Sequence, residues 1–362
     1  MAKRTANFYA GPSTLPLDVL KQVQKEFLDF KATGMSVIET SHRSKEFETV
    51  VNEAEQDLKD LLKIPANYSV VFMSGGASIN FPLVPMNLLQ EGKVAAYVNT
   101  GEWAKKALKE AKILGETAVV ASSEDRNFCY IPDLAGMKIP ANAAYLHITS
   151  NNTIEGTQYK KFPETGTVPL VADMSSDFLS YPFDMTKFGL VFAGAQKNVG
   201  PSGISVVIIR NDLLALAEKK NIPAFFKYQT HAKEHSLYNT PNSFGIYLIG
   251  LVFKSLKKRG GLGQVEKYNV EKAKILYDAI DSSPLFKGTA DKKDRSLMNV
   301  TFVMAKKELE AEFLKEADKK ELIGLKGHRS VGGFRASIYN AMTIENVVKL
   351  VKFMKDFEIR HK

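Results

Sequence analysis

The 362-residue chain contains one cysteine and one tryptophan, and it has no long hydrophobic run. The single thiol, Cys129, cannot form an intramolecular disulfide or supply a thiolate metal site. The longest apolar runs, such as residues 206–209, have the length of a strand and cannot span a bilayer. The N-terminal residues lack the apolar core of a signal peptide. We therefore expect a cytoplasmic protein that does not interact with a membrane.

The sequence also lacks internal repeats and low-complexity linkers. Its 44% hydrophobic and 25% charged residues are typical of a globular protein of about two domains. The net charge of +9 arises in residues 251–362, which have 24 basic and 15 acidic residues, whereas residues 1–250 have 25 of each. These lysines alternate with acidic residues at helical spacing and no basic–aromatic motif accompanies them, so nucleic-acid binding is disfavoured.

Apolar periodicity predicts an α/β fold. Apolar residues recur every three or four positions over Lys45–Leu62, which indicates an amphipathic helix. Short runs that are apolar on both faces alternate with helical segments, and this pattern favours a mostly parallel sheet covered on both sides. The predicted strands are Ser69–Met73, Val94–Val98, Ala118–Val120, Ala144–Ile148, Val168–Ala172, Leu190–Ala193 and Ile204–Arg210.

A domain boundary is expected near residue 260. Glycines in Lys257–Gly263 interrupt a long helical segment that begins near Phe244. Beyond them the pattern is a helix, a strand at Asn299–Met304, another helix, a glycine-rich stretch and a final helix at Ile344–Phe357. The excess of positive charge begins at the same place. The predicted units are an N-terminal arm (1–15), a large domain (16–260) and a smaller α+β domain (261–362).

Ligands of open α/β sheets bind beyond the carboxyl ends of the strands, and three of these ends carry suggestive residues. The small residues 74–78 could bring backbone N–H groups to an anion, although a tight turn that needs positive φ is the commoner reason for such residues. Trp103 fits either a core position or a surface on which a planar ring stacks. Asp173, after four apolar residues, could be a helix cap, a metal ligand or the partner of a bound cation.

Lys197 lies in a glycine-rich segment, 194–203, after another predicted strand. Desolvation lowers the pKa of an amine and makes it nucleophilic, as a Schiff-base lysine requires. The segment is not a Walker phosphate loop, because the lysine precedes its glycines. A phosphate cradle, a planar stacking surface, a buried carboxylate and this lysine together match the requirements of pyridoxal phosphate.

Seven motifs reinforce this interpretation: SHRSKEFE (41–48), GGASINFPLVPMNLL (75–89), SNNTIEGT (150–157), ADMSSDFLS (172–180), AGAQKNVGPSG (193–203), NTPNSF (239–244) and GHRSVGGFRASIYNA (327–341). The chain resembles the phosphoserine aminotransferases, which belong to the class V, fold-type-I pyridoxal-phosphate aminotransferases. The resemblance implies a seven-stranded large-domain sheet and a homodimer with shared active sites. It also implies amino transfer between O-phospho-L-serine and 2-oxoglutarate, giving 3-phosphohydroxypyruvate and glutamate in serine biosynthesis. Whether 4-phosphohydroxythreonine, of vitamin B6 synthesis, is also a substrate stays open.

The resemblance further implies residue roles at the cofactor. Lys197 would form the Schiff base and move the substrate proton, and Asp173 would pair with the ring nitrogen. Trp103 would stack on the ring and Thr153 would hydrogen-bond to its oxygen. The residues implied for the cofactor phosphate are Ala77, Ser78 and Gln196, with Asn239 and Thr240 from the neighbouring subunit.

On the substrate side, the resemblance implies that Arg335 binds the α-carboxylate. The distal phosphate or carboxylate would be held by His42 and Arg43, with His328 and Arg329 supplied by a partner chain. Two positions depart from the family pattern, since Ser78 and Tyr181 stand where relatives have arginine.

Three rival functions remain open from the residues. A cysteine desulfurase would need a nucleophilic cysteine on a mobile loop, but Cys129 lies outside every motif. Another class V aminotransferase, such as an alanine–glyoxylate type, is the stronger rival. His231 and His235 have the spacing of two helical zinc ligands, but the glutamate of a zinc hydrolase would adjoin the first histidine, whereas Glu234 adjoins the second.

Overall fold

The computed structural model describes residues 4–361. The α-helices are Leu17–Glu26 (α1), Lys45–Leu62 (α2), Ala77–Leu88 (α3), Glu102–Leu114 (α4), Asn211–Glu218 (α5), Tyr228–Lys233 (α6), Ser243–Lys258 (α7), Leu262–Asp281 (α8), Glu310–Lys319 (α9) and Ile344–Arg360 (α10). The strands are Ala6–Asn7 (β1), Tyr68–Ser74 (β2), Val94–Asn99 (β3), Thr117–Ser122 (β4), Ala143–Thr149 (β5), Asn151–Asn152 (β6), Thr157–Gln158 (β7), Leu170–Asp173 (β8), Leu190–Gly194 (β9), Ile204–Arg210 (β10), Phe286–Gly288 (β11), Asn299–Met304 (β12), Leu322–Ile323 (β13) and Phe334–Ser337 (β14).

A seven-stranded sheet with the order β2-β10-β9-β8-β5-β3-β4 forms the centre of the fold. Its strands correspond to the seven predicted runs, and the predicted α/β class with a mostly parallel sheet is confirmed. Only β10 runs antiparallel to its neighbours in this sheet. The cause is the short connection 195–203 between β9 and β10, because a parallel pair would need a crossover of a dozen or more residues. Lys197 therefore lies in a hairpin loop.

Helices pack on both faces of this sheet, as the doubly apolar strands predict. One buried cluster contains α2 and α7 side chains, and the other contains α3 side chains and part of α4. Helix α2 has the predicted bounds, and the Ser44 Oγ caps it by accepting from the Phe47 N–H at 3.3 Å. Its buried face consists of Phe47, Val50, Val51, Ala54, Leu58 and Leu62.

A second core forms around the antiparallel sheet β11-β12-β14 with helices α8, α9 and α10. The N-terminal residues belong to this core, because β1 pairs in parallel with β13 and Phe8 is fully buried among the C-terminal side chains. Helix α8 contributes Val265 to the large-domain core and Leu276 to the smaller one. The division at residue 260 stays a prediction.

In the part of the chain that the structure describes, no helix is long and apolar enough to cross a membrane.

Candidate active site

A cavity of about 210 Å³ lies at the carboxyl ends of β2, β8 and β9. Its wall brings together every residue that the sequence analysis assigned to the cofactor within one chain: Ala77, Ser78, Trp103, Thr153, Asp173, Gln196 and Lys197. The same wall includes Ala10 and Gly11 of the N-terminal arm. The sequence analysis assigned neither of these two residues.

Lys197 reaches the cavity from the β9–β10 hairpin. Its Nζ donates to the Thr153 Oγ1 at 2.7 Å and lies 5.1 Å from the centroid of the Trp103 ring. Burial lowers the pKa of Lys197 to about 8, and the charge of Asp173 only partly offsets this effect. Ser13 fixes the hairpin backbone, since its N–H donates to the Gln196 carbonyl at 3.1 Å. Lys197 thus has the neutral fraction at physiological pH that a nucleophilic amine needs.

Asp173 ends strand β8 and is only 4% exposed. Its Oδ1 accepts two hydrogen bonds from Ser175, at 2.9 Å from the backbone N–H and at 2.5 Å from the hydroxyl. Burial raises the pKa of Asp173, whereas the Lys197 charge and the Ser175 donors act in the opposite direction. A carboxylate this deeply buried is stabilised by a cationic partner, and a protonated ring nitrogen would supply one.

The N-terminus of α3 offers an anion-binding position. Helix α3 begins at Ala77 after Gly76, and no side chain caps it. A Cβ on Gly194 would lie 2.9 Å from the Ala77 nitrogen, so glycine keeps this approach open. The Gln196 Oε1 on the same side is buried without a hydrogen-bond partner. Free N–H groups in a first helical turn attract phosphate, and an unpartnered buried polar atom fits a site that a ligand completes.

Trp103 is the second residue of α4 and presents its ring to the cavity. The indole Nε1 is buried without a hydrogen-bond partner, and the Lys106 Nζ lies 4.3 Å from the ring centroid. These residues together fit pyridoxal phosphate: a lysine, a carboxylate, an uncapped helix N-terminus and a flat ring border one cavity of suitable polarity.

Arg335 and His328 line the same cavity from the smaller core. The Arg335 Nη1 donates to the Thr153 carbonyl at 3.3 Å, and its Nε is buried without a partner. Burial and the nearby Arg335 lower the pKa of His328. His328 lines the cavity of its own chain, and the assignment of His328 and Arg329 to a partner chain stays a prediction. Arg329 does not line the cavity.

The remaining predicted site residues lie elsewhere on the chain. Arg43 lines a separate surface depression of about 590 Å³ together with Tyr238, and its Nε approaches the His42 Nε2 at 3.4 Å. Asn239 and Thr240 directly follow Tyr238, and the Asn239 side chain donates to the Thr240 carbonyl at 3.0 Å. None of these residues lines the Lys197 cavity of the same chain.

The structure adds Glu155, which the sequence analysis did not single out. Its carboxylate is buried beside the site, and its negative charge acts to raise the pKa of both Lys197 and Arg335. The sequence signal that could have identified Glu155 is its place as the one acidic residue of the SNNTIEGT motif, between Ile154 and Gly156. Tyr181, for which the resemblance implied an arginine in relatives, is half-buried outside the cavity and donates to the Asp177 Oδ2 at 3.2 Å.

The histidine and cysteine side chains on which the rival functions depend have surroundings that do not suit those functions. The His231 Nε2 lies 2.7 Å from the Phe225 carbonyl oxygen, so this ring nitrogen is already bonded. Across residues 4–361, no group of three or more histidine, cysteine or acidic side chains is arranged to hold a metal. Burial and the neighbouring Asp291 raise the pKa of Cys129, which makes it a poorer nucleophile.

Comparisons with known proteins point in the same direction. A family model described as aminotransferase class-V matches residues 5–350. A phosphoserine aminotransferase of Desulfosudis oleivorans is 57% identical over 362 residues and the alignment covers 99% of each chain. The solved phosphoserine aminotransferase from Bacillus circulans subsp. alkalophilus has a TM-score of 0.98 and 53% identity over 100% of both chains. A PLP-bound phosphoserine aminotransferase from Trichomonas vaginalis has a TM-score of 0.91 and 39% identity over 97% of this chain and 100% of its own.

Proposed function

The chain belongs to the class-V aminotransferases and, within them, to the phosphoserine aminotransferases, and from this premise we propose which of its residues perform the reaction. It is a pyridoxal-phosphate-dependent enzyme that transfers an amino group between O-phospho-L-serine and 2-oxoglutarate in serine biosynthesis. The observation that carries the residue assignment is the Lys197 amine, which donates to Thr153 in a cavity that also contains Asp173.

Bound pyridoxal phosphate supplies an electron sink that makes the substrate Cα–H acidic. Lys197 would hold the cofactor covalently, and its amine, whose pKa burial lowers, would take the proton from the substrate Cα and deliver it to the cofactor carbon C4′. Asp173 keeps the ring nitrogen protonated, because a buried carboxylate favours a neighbouring cation. Arg335 binds the substrate α-carboxylate with its guanidinium fork. The first turn of α3 binds the cofactor phosphate, with Gln196 beside it.

The proposal includes a homodimer in which each active site uses both chains. His42, Arg43, Asn239 and Thr240 lie away from their own Lys197 cavity, so a second copy must bring them to it. Large apolar side chains are exposed on the segments that precede these residues in sequence: Met35 is 44%, Ile38 is 54% and Tyr238 is 42% exposed. A second chain packing there would cover them. The cytoplasm remains the proposed compartment, because the single cysteine suits reducing conditions.

Arg43→Ala is expected to discriminate between substrates by their distal charge. Loss of one charged partner of a buried anion costs about 2–4 kcal/mol, so kcat/KM for phosphoserine should fall about 30- to 900-fold. Turnover of alanine, which has no distal anion, should change little. Steady-state kinetics with both substrates measure this ratio, and an equal loss for the two amino acids would contradict the role of Arg43.

Mixed dimers test the shared site directly. Co-refolding Lys197→Ala chains with Arg43→Ala chains should restore roughly a quarter of wild-type activity, because half of randomly paired dimers are mixed and each has one intact site. The matched control pairs Lys197→Ala with Arg335→Ala. These two residues line one cavity, so no activity should return. If the Lys197→Ala and Arg43→Ala mixture forms mixed dimers but recovers no activity, Arg43 acts in the active site of its own chain.

The visible absorption spectrum tests the function as a whole. Protein purified with pyridoxal phosphate should be yellow, and phosphoserine without any keto acid should bleach this band while 3-phosphohydroxypyruvate forms. A zinc enzyme or a nucleic-acid-binding protein would show no such band. A band that phosphoserine leaves unchanged would refute the proposal.

A further inference from the structure

Glu155 caps a helix to which it is not connected in sequence. It lies in the turn between β6 and β7 and is 7% exposed. Its Oε1 accepts the backbone N–H of Glu102, the first residue of α4, at 2.8 Å. Gly101 precedes α4 and has no side chain with which to cap it. The carboxylate therefore provides both the acceptor and the negative charge that a helix N-terminus favours.

Gly101 is what allows this contact. A Cβ at position 101 would stand 2.7 Å from the Glu155 carboxyl carbon and 2.9 Å from the Asn152 Oδ1. Such distances are shorter than any normal contact, so an alanine would push the carboxylate away from the helix. The cap therefore needs both residues, a glycine at 101 to leave the space and an acid at 155 to fill it.

The contact joins two segments that carry cavity residues. Trp103 follows Glu102 in the first turn of α4, and its ring centroid lies 5.1 Å from the Lys197 Nζ. Thr153, two residues before Glu155, accepts the hydrogen bond from that Nζ. A shift of the first turn of α4 relative to the β6–β7 turn would change the distance between indole and amine.

We propose that Glu155 is a positioning residue that fixes the Trp103 indole relative to Lys197 by capping α4. The consequence for catalysis rests on the proposed function, whereas the position of the indole does not depend on it. The Glu155 Oε2 is buried without a hydrogen-bond partner. Burying this oxygen costs solvation free energy, and a helix cap on the surface would not have this cost.

Trp103 is the sole tryptophan and therefore reports its own position in cofactor-free protein. Loss of a cap should raise the frayed population of the first turn about fivefold, so acrylamide should quench Trp103 more strongly in Glu155→Ala than in wild type. Glu155→Gln keeps an accepting oxygen and should restore most of the protection. The matched control is Thr343→Ala, which removes the cap of α10 at Asn346 and should leave quenching unchanged.

Gly101→Ala provides a second, independent variant. It should increase quenching as Glu155→Ala does, and the double variant should show less than the sum of the two effects because both break one contact. In the loaded enzyme, Glu155→Ala should lower kcat for phosphoserine about tenfold with a smaller change in KM.

Unchanged quenching in both Glu155→Ala and Gly101→Ala would overturn the proposal. Should Glu155→Ala fail to fold, Gly101→Ala and Glu155→Gln decide the question. Increased quenching in a protein that does not transaminate phosphoserine would retain the positioning role and reject the proposed function, so the two failures are distinguishable.

Discussion

Lys197→Ala should lose at least about a thousandfold in turnover while remaining folded, because the reaction loses both its covalent attachment point and its proton carrier. Borohydride reduction of the wild-type enzyme should fix the cofactor on the peptide that contains residue 197. Lys187→Ala is the matched control, since Lys187 forms a surface ion pair with Glu164 at 2.7 Å and should be dispensable. Reduced cofactor on Lys187 or Lys227 would contradict the assignment.

The same substitution should change how stability depends on pH in the cofactor-free protein. The pKa of Lys197 is lowered from 10.5 to about 8 by burial, so the folded state binds fewer protons than the unfolded state between these values. The contribution of this group to stability therefore increases as the pH rises from about 8 to 10.5 and is unfavourable below pH 8. Lys197→Ala removes that contribution, and its thermal midpoint at pH 7 should equal or exceed that of wild type.

Asp173→Asn should lower kcat about a hundredfold or more while changing stability little. The amide preserves the shape and can still accept from Ser175, but it lacks the charge that keeps the ring nitrogen protonated. Burial raises the pKa of Asp173, so the free energy of unfolding falls as the pH rises from the unfolded-state pKa of this group to its raised folded-state pKa. Removal of the charge should not reduce the free energy of unfolding at neutral pH.

Asp177→Asn is the control for Asp173→Asn. Asp177 is a buried carboxylate on the same loop, and burial raises its pKa to about 6. It accepts from Ser150, Gln158 and Tyr181 and does not line the cavity. Its amide variant should lose stability rather than turnover, because an amide nitrogen in place of Oδ2 cannot accept from Gln158 and Tyr181. Near-wild-type activity in Asp173→Asn would contradict the role of Asp173.

The parts of the fold that depend on local patterning were predictable from sequence. The bounds of α2 and of β12 match the predicted ones, because apolar spacing within a helix or strand is recorded in consecutive residues. The cavity residues Lys197 and Asp173 were also predictable. Asp173 ends a strand and Lys197 lies in the loop after another, and the carboxyl ends of both strands lie at one edge of the sheet.

Features that depend on contacts between distant segments were not predictable in this way. The antiparallel pairing of β10 with β2 joins segments that are far apart in the sequence, and no local pattern records it. The capping role of Glu155 depends on its contact with Gly101, more than fifty residues earlier, and nothing in its local sequence distinguishes it from other acidic loop residues. The place of His328 on the wall of the Lys197 cavity likewise depends on a contact between segments that are distant in sequence.

The most direct test of the central claim is amino transfer to 2-oxoglutarate from O-phospho-L-serine, L-serine and L-alanine, measured side by side with the wild-type enzyme. The distal phosphate should raise kcat/KM for phosphoserine by at least about two orders of magnitude over both uncharged competitors, since the guanidinium of Arg43 can bind it bidentately. Turnover of serine or alanine as fast as that of phosphoserine would show that the chain is an aminotransferase of different specificity.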